Sequence, residues 1–400
     1  MPRTLVLPLA LLFTTACEEV PLDDLVGADT YFVKLNTNAA TVASTTQAIA
    51  GAFGIDVIHT YDAATEGFSA RLPALIINEV EDFSTVEYVR RDDGDHGVPD
   101  DEEPIDEPVD DPAVIIGDDE IPESLLRIGA PYTGPGLDQI QVAVIDTGID
   151  RGHPDLNVVG EIDLVAMSGS GVAAPGGDPN GHGTHCAGTI AALADGDGVV
   201  GVAPGVALHA VRVLNEDGAG FWTDIVAGLE YVLERPEIRV VNMSLGGPAP
   251  SDPDDPMRQA IQRLEDSGVV VVIAAGNETQ NTDNVAPASF DLGIVVSAYD
   301  ASGGRDSGFA SFSNFGGQVD IAAPGVDVMS TYPGDRYVEL SGTSMATPAV
   351  AGAVTAYLAN NPDASVADIR ERLVTTGEDG FTGQNNRHPE PMIDVPALLE

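Results

Sequence analysis

The sequence predicts an α/β protein, in which a three-layer domain built on a parallel sheet follows a small α+β unit of ferredoxin-like order. The region 121–400 alternates β-branched runs such as "QVAVID" and "GVVVVIAAG" with amphipathic runs such as "PMRQAIQRLED". Near-continuous apolar strands separated by helices indicate a parallel sheet with helices on both faces. The chain has 400 residues, 43% of them hydrophobic, which suffices for one large core and an accessory domain.

Residues 1–17 are typical of an export signal. Met-Pro-Arg precedes the apolar stretch Leu5–Phe13, and small residues then lead to Cys17. The stretch is too short to span a bilayer as a mature helix. Small residues directly before a cysteine resemble a bacterial lipoprotein signal, in which that cysteine is acylated. We therefore expect a secreted protein, or one anchored to a membrane only through lipid on Cys17, which would leave Cys186 without a disulfide partner.

Residues 29–91 have the pattern of a compact unit. Strand-like runs "TYFVKLN", "IDVIHTYD", "GFSARLP" and "VEYVRRD" alternate with helix-like runs "ATVASTTQAIAGAF" and "ALIINEVED". The resulting order, β-α-β-β-α-β, is a ferredoxin-like arrangement. The next region, 92–120, contains "DDGDHGVPDDEEPIDEPVDDP", and a segment so rich in like charges and proline buries no core. We predict that 92–120 is an exposed acidic linker.

Acidic residues dominate the charge of the whole chain. There are 64 of them against 17 basic residues, a formal net charge of −47, and Lys34 is the only lysine. A field of this sign repels nucleic acid and anionic lipid headgroups, so we expect neither as a partner. The charge is compatible with solubility in a salty medium that screens it, and with the binding of cations.

The stretch "VAVIDTGID" presents Asp146 at the end of a predicted strand, and Asp-Thr-Gly fits two kinds of protease. An aspartic protease pairs two such carboxylates, each fed by an apolar strand, so that they share one proton. A second candidate, Asp306-Ser307-Gly308, follows "SGGR", which is loop. Alternating strands and helices also contradict the nearly all-β fold of those enzymes. An aspartic protease is therefore a remote alternative, and Asp146 better fits the orienting carboxylate of a serine protease.

Two further motifs place reactive side chains at predicted helix starts. "NGHGTHCAG" has His182 between two glycines, and "GTSMATP" has Ser344 before a long apolar run. Taken alone, His182 could be a surface or capping residue and Ser344 an N-capping serine. A zinc site from His182 and His185 would need a spacing of four and an intervening glutamate, which this motif lacks. Main-chain N–H groups at a helix start favour negative charge that develops beside Ser344.

Five motifs in order resemble the subtilisin-like serine proteases, from about Ile121 to the C-terminus: "VAVIDTGIDRGHPDL", "NGHGTHCAG", "VNMSLGG", "AAGN" and "GTSMATP". "HGTHCAG" especially resembles the proteinase K branch. The resemblance implies that Ser344 is the nucleophile, that His182 takes its proton and that Asp146 orients the imidazole. It also implies that Asn277 and the Ser344 N–H stabilise the oxyanion.

The same resemblance implies a cleft for protein and peptide substrates. One strand would pair with the extended substrate, and a short apolar segment would wall the primary pocket. We therefore expect broad cleavage with a preference for apolar residues on the acyl side, and Glu278 would admit some basic side chains. The implied substrate-binding residues are Ser244, Leu245, Gly246 and Gly247 for the strand, and Ala274, Ala275 and Gly276 for the pocket.

The resemblance further implies structural calcium and no catalytic cofactor. Carboxylates of Asp155 and Asp195 and main-chain carbonyls of Leu193, Asp197 and Val199 would form an all-oxygen site. The alternative is a solvated loop without an ion.

The unit 29–91 resembles the inhibitory prodomain of these proteases, with a tail after "VEYVRRD" that would lie in the active site. The alternative is an unrelated ferredoxin-like binding domain. We therefore predict a secreted or lipid-anchored serine endopeptidase made as a zymogen, with its own prodomain as intramolecular inhibitor and with the catalytic domain at 121–400. A catalytically inactive subtilisin-like binding protein is the alternative from another class. The presence of all four required residue types argues against it.

Overall fold

The computed structural model describes residues 29–400 except 93, 95, 99–119, 166–168, 170, 172–173, 175–176, 251–253, 303–307 and 381–383. The predicted signal 1–17 and Asp306 of the alternative acid pair therefore lie outside the described residues. The described strands are β1 (Asp29–Leu35), β2 (Val57–Tyr61), β3 (Gly67–Leu72), β4 (Val86–Asp92), β5 (His96–Gly97), β6 (Gln141–Asp146), β7 (Val158–Asp163), β8 (Ala207–Arg212), β9 (Ala219–Gly220), β10 (Ile238–Met243), β11 (Gly247–Pro248), β12 (Val270–Ala274), β13 (Val285–Ala286), β14 (Ile294–Tyr299), β15 (Val319–Pro324), β16 (Val328–Tyr332) and β17 (Arg336–Leu340). The described helices are α1 (Ala39–Phe53), α2 (Ile77–Glu81), α3 (Glu123–Arg127), α4 (His182–Ala191), α5 (Trp222–Leu233), α6 (Pro256–Asp266), α7 (Thr343–Asn360), α8 (Val366–Thr376) and α9 (Val395–Leu399).

Seven parallel strands form the central sheet, in the order β7-β8-β6-β10-β12-β14-β15. The chain enters at β6, adds β7 and β8 on one side, and then adds the remaining strands on the other. The direction of winding therefore reverses between β6 and β10, and such a reversal opens a crevice beyond the carboxyl ends of the strands. The predicted α/β class with a parallel sheet is confirmed.

Helices cover both faces of this sheet, because side chains alternate along each buried strand. Val142 of β6 shares one apolar cluster with Ile190 of α4 and with residues of α7. Its neighbour along the strand, Ala143, points the other way and shares a second cluster with Leu229 of α5 and with residues of α6. Across the described residues, no helix has the length and apolar character that a membrane span needs.

A second, smaller sheet lies N-terminal to the first. Strands β1 to β4 with α1 and α2 occur in the order that the sequence predicts, and the antiparallel sheet has the order β2-β3-β1-β4. Val33 and Phe68 belong to a core of this unit's own. Phe32 and Tyr61 instead belong to the cluster that includes α5 and α6. One face of the small sheet therefore packs on these two helices.

The start of the predicted acidic linker is not exposed. Asp92 is the buried last residue of β4, and His96 and Gly97 form the short strand β5. Strand β5 pairs antiparallel with β9, and Gly97 exchanges two main-chain hydrogen bonds with Gly246 at 2.8 and 2.9 Å. Composition did not predict this pairing, because it uses only main-chain groups, which a charged segment carries like any other. The linker residues 99–119 lie outside the described part.

Candidate active site

Asp146 and His182 meet at the carboxyl edge of the central sheet. Asp146 ends β6 and His182 begins α4, and the ring Nδ1 lies 2.7 Å from Asp146 Oδ1. Both side chains are buried. The Thr147 N–H donates to the same carboxylate oxygen at 2.7 Å, which fixes its orientation. When Nδ1–H donates to a carboxylate, Nε2 is left as the basic atom of the ring.

A glycine allows α4 to begin this close to the strand end. A Cβ on Gly183 would lie 2.1 Å from the Gly148 carbonyl oxygen and 3.1 Å from the Asp146 Cβ. Any side chain at this position would push the helix away from β6. The glycine after His182 is therefore a steric requirement of the Asp146–His182 hydrogen bond.

Ser344, the second residue of α7, is buried beside this pair. Its Oγ donates to the Ser244 carbonyl oxygen at 3.4 Å, and Ser244 Oγ donates to the Ser344 carbonyl at 2.9 Å. Cys186 connects the two helices: its Sγ lies 3.5 Å from the Ser344 carbonyl oxygen and within 4.8 Å of ligand atoms of Asp146 and His182. This position of Cys186 between the two helices was not predictable from the sequence, because no local spacing relates α4 to α7.

Asn277 completes the set of predicted chemical residues. Its Oδ1 accepts hydrogen bonds from the Thr343 N–H at 2.9 Å and from the Thr343 hydroxyl at 2.8 Å. Its Nδ2 is buried and has no hydrogen-bond partner among the described residues. Leaving a buried amide donor unpaired costs about 1–3 kcal/mol. The amide is therefore held ready, next to the residue that precedes Ser344, for an acceptor that a ligand supplies.

His185 does not join His182 in a metal site. Its Nε2–H donates to the Val328 and Val338 carbonyls, at 2.9 and 3.2 Å. Burial, and after it the nearby His182, lowers the pKa of His185 to about 3. The ring is therefore neutral at physiological pH and ties α4 to the hairpin of β16 and β17.

A cleft of about 450 Å³ lies close to Asn277, because the next residue, Glu278, lines it, and the segment 96–98 lines it as well. Gly246 and Gly247 line one side, and Gly218 and Ala219 line the other. The segment 96–98 runs between them, with hydrogen bonds from Gly97 to Gly246 and from the Val98 N–H to the Gly218 carbonyl at 3.0 Å. An extended segment is thus held from both sides, in the way that strand addition holds a peptide.

The model of the Subtilase family, Peptidase_S8, matches residues 138–389 of the chain. The chain belongs to the subtilase family. It is accordingly a serine-type endopeptidase, which acts on proteins and peptides.

Named relatives agree with this membership. This subtilase is 44% identical to Subtilisin DY of Bacillus licheniformis over 265 residues, which cover 65% of this chain and 91% of that protein. It is 40% identical to Subtilisin E of Bacillus subtilis (strain 168) over 289 residues, 70% of this chain and 71% of that protein. Among solved structures it is similar to fervidolysin from Fervidobacterium pennivorans, described as a keratinolytic enzyme related to subtilisin. The TM-score is 0.74 and the identity 27%, and the match covers 93% of this chain but only 60% of fervidolysin.

In this subtilase the residues predicted to wall the primary pocket, Ala274, Ala275 and Gly276, lie at the end of β12 and directly after it. Ala274 and Ala275 are buried at the end of β12 and do not line the 450 Å³ cleft. Glu278 does line it, and its carboxylate accepts a hydrogen bond from the Asn314 amide. Leu245, which belongs to the segment predicted to pair with the substrate, packs its side chain in the apolar cluster on the α5 side of the sheet.

The subtilase encloses the Asp155 carboxylate in a short acidic loop. Asp155 Oδ1 accepts the Leu193 N–H at 2.8 Å, and Oδ2 accepts the Val199 N–H at 3.2 Å. Within the described residues, the carbonyls of Leu193, Asp197 and Val199 accept no main-chain hydrogen bond. Burial raises the pKa of Asp155 to about 7, and the nearby Asp195 adds to that rise. The loop therefore combines free carbonyl oxygens with carboxylates whose charge a cation would stabilise.

Proposed function

We propose that this subtilase cleaves peptide bonds through a triad of Ser344, His182 and Asp146. Ser344 Oγ attacks the peptide carbonyl carbon while His182 Nε2 takes the hydroxyl proton. The ring then gives that proton to the leaving amine, and water releases the acyl group from Ser344 by the same steps. Asp146 accepts the Nδ1–H bond at 2.7 Å and stabilises the imidazolium that forms.

The observation that carries this proposal is the unpaired, buried Asn277 amide. Two hydrogen bonds from Thr343 aim the Asn277 side chain, and Thr343 directly precedes Ser344 in α7. During attack the carbonyl oxygen becomes an oxyanion beside the Ser344 N–H, and Asn277 Nδ2 would donate to it there. Because the donor is fixed before the reaction, no reorganisation opposes the developing charge.

We propose that the unit predicted at 29–91, whose last strand β4 ends at Asp92, is an inhibitory prodomain. The Glu230 carboxylate on α5 accepts N–H groups of three successive residues in the loop after β2: Asp62 at 3.0 Å, Ala63 at 2.7 Å, and Ala64. Asp92, at the end of β4, accepts the N–H of Thr223 in the first turn of α5 at 2.7 Å. Burial raises the pKa of Asp92 to about 6 despite that hydrogen bond.

Inhibition would follow from the place of the segment 96–98. It occupies main-chain groups of Gly218 and Gly246, which an extended substrate would also use. Recognition by main-chain groups is tolerant of sequence, which supports broad specificity. Because 96–98 lies in the cleft, we place the maturation cut after Val98 and before about Ile121.

We propose that the loop around Asp155 binds one calcium ion. Asp155 and Asp195 would supply carboxylates, and the carbonyls of Leu193, Asp197 and Val199 would complete an oxygen site. The ion would hold together the end of α4 and the turn that carries Asp155, and it would take no part in peptide hydrolysis.

We further propose that residues 1–17 direct export and that Cys17 carries lipid. The apolar stretch followed by small residues and a cysteine supports this proposal.

Removal of the oxyanion donor tests the proposed mechanism. In Asn277→Ala, kcat on a chromogenic peptide should fall about 100- to 1000-fold, with KM little changed, because the lost bond forms only in the transition state. A fluorophosphonate probe should label the wild type and leave Ser344→Ala unlabelled. Asn361→Ala, on an exposed residue, is the control and should keep full activity. Unchanged labelling of Ser344→Ala would refute the assigned nucleophile.

Weakening the Glu230 contact tests the prodomain. Glu230→Gln replaces an oxygen that accepts N–H groups by an NH₂ group that repels them, so the dissociation constant of the cleaved prodomain should rise about tenfold or more. The measurement is recovery of peptidase activity when the self-processed protein is diluted. Glu234→Gln, on an exposed residue after the same helix, should behave like the wild type. Equal inhibition in both variants would count against the proposed role of this interface.

Calcium should stabilise the mature enzyme. Excess ligand that binds only the folded state at about 100 times its Kd adds about 2.7 kcal/mol, so Tm should rise with calcium and fall with chelator. Asp195→Asn should reduce this response, whereas Asp363→Asn, on an exposed loop residue, should not. A Tm that changes with neither calcium nor chelator would contradict the calcium site and support a solvated loop without an ion. Peptidase activity at low temperature should survive chelation.

Mass spectrometry of the exported protein tests the lipid proposal. We expect an N-terminal peptide that begins at Cys17 and carries acyl chains, found on the prodomain when processing is blocked by Ser344→Ala. Cys17→Ala should release the same protein from the membrane fraction. An unmodified N-terminus would show plain secretion.

A further inference from the structure

Asp178 is a buried carboxylate that the proposed mechanism does not use. It lies four residues before His182, in the segment that leads into α4, and its side chain is 9% exposed. Five donors surround it. Oδ1 accepts from the Thr147 hydroxyl at 2.9 Å and from the N–H groups of Asn180 and Gly181 at 3.1 and 2.8 Å. Oδ2 accepts from the N–H and hydroxyl of Thr184 at 2.9 and 2.6 Å.

These donors come from the segment that follows Asp146 and from the segment around His182. Thr147 directly follows Asp146, and its N–H already orients that carboxylate. Its hydroxyl oxygen also accepts the N–H of Gly183, the residue after His182, at 3.0 Å. Thr184 lies in the first turn of α4 and also accepts the Asp150 N–H, in the turn after β6, at 2.9 Å. One carboxylate therefore connects the end of β6 to the start of α4.

We propose that Asp178 is a positioning residue for the peptidase reaction, which holds the segments of Asp146 and His182 in register through Thr147 and Thr184. This inference rests on the proposed triad. Asp178 touches neither reacting atom, so it acts through its neighbours. A shift of about 1 Å between two reacting groups is enough to cost about 100-fold in rate, and the hydrogen bonds to Asp178 oppose such a shift.

The negative charge of Asp178 also favours the peptidase reaction, in addition to the hydrogen bonds that hold the two segments in place. The titratable groups near Asp178 include Asp146 from β6 and Tyr332 from β16, whose hydroxyl donates to the Asn180 carbonyl at 2.7 Å. His182 in turn lies near Tyr332 and near His185 of its own helix. Burial, and further the charge of Asp146, raises the pKa of Asp178, while its five donors favour the ionised form. Asp178 accepts the N–H of Gly181, the residue before His182, at 2.8 Å. A negative charge held this close to the segment of His182 favours the protonated imidazole that the transition state requires.

Asp178→Asn tests the inference in the full chain after self-processing. The amide cannot accept all five donors, so we expect kcat to fall about 10- to 100-fold with KM within about twofold of the wild type. Loss of the charge should move the acidic limb of the kcat/KM pH profile to lower pH, because protonated His182 becomes less stable. Active-site titration corrects for the fraction of competent enzyme.

Companion variants separate positioning from stability. Thr147→Val breaks the link to Asp178 and should also lower kcat, whereas Thr147→Ser keeps the hydroxyl and should recover most of the loss. Asp394→Asn alters a carboxylate that caps α9 and should lower Tm without moving the pH profile. If Asp178→Asn fails to mature, the comparison of Thr147→Val with Thr147→Ser tests the inference by the same measurements of kcat and Tm.

Two results would overturn the inference. One is an Asp178→Asn enzyme with the kcat and pH profile of the wild type. The other is a loss of activity that follows Tm equally in Asp178→Asn and Asp394→Asn, which would mean a structural role only. Failure of a fluorophosphonate to label Ser344 in the wild type would instead contradict the proposed triad, so the two failures are distinguishable.

Discussion

The constraint on which the site depends is that neighbouring parallel strands finish at one edge of their sheet. Strand β6 ends in Asp146, β10 leads directly into Ser244, and β12 leads into Asn277. His182 is the first residue of α4 and Ser344 the second residue of α7, so these two helices need only begin near that edge. Buried apolar clusters on both faces of the sheet hold the strands rigidly, so the polar groups at the strand ends are held in fixed positions.

Short-range sequence signals were enough to predict much of this arrangement. A β-branched run before Asp146, glycines around His182 and an apolar run after Ser344 each indicate a local structure. Which side chains meet was implied only by the resemblance of the motifs to the subtilisin-like proteases. Contacts between segments distant in the chain left no such signal. Glu230 reads as an ordinary helix residue, although it binds three N–H groups about 167 residues away in the chain. The short strand β5 was not predicted, because its acidic surroundings indicate a solvated segment, whereas its pairing uses main-chain hydrogen bonds.

Three of the 17 basic residues of this acidic chain lie where the two units meet. Lys34, the only lysine, is buried, and its Nζ donates to Thr65 at 2.8 Å within the small unit and to Gln259 of α6 at 2.9 Å. Arg263 of α6 binds Glu66 at 2.6 Å, and Arg90 of β4 binds Asp255 at 2.8 Å. The two arginine pairs join opposite charges and so reduce the repulsion within a chain of net charge −47.

Polar contacts at this interface fit the proposal that the small unit is a prodomain that separates from the larger domain. Separating two apolar surfaces exposes both to water, whereas carboxylates, amides and guanidinium groups regain hydration when they part. The small unit keeps Val33 and Phe68 in a core of its own and offers Phe32 and Tyr61 to the larger one. The proposed prodomain therefore has an apolar core of its own, and its contacts with the larger domain include the main-chain hydrogen bonds of the segment 96–98.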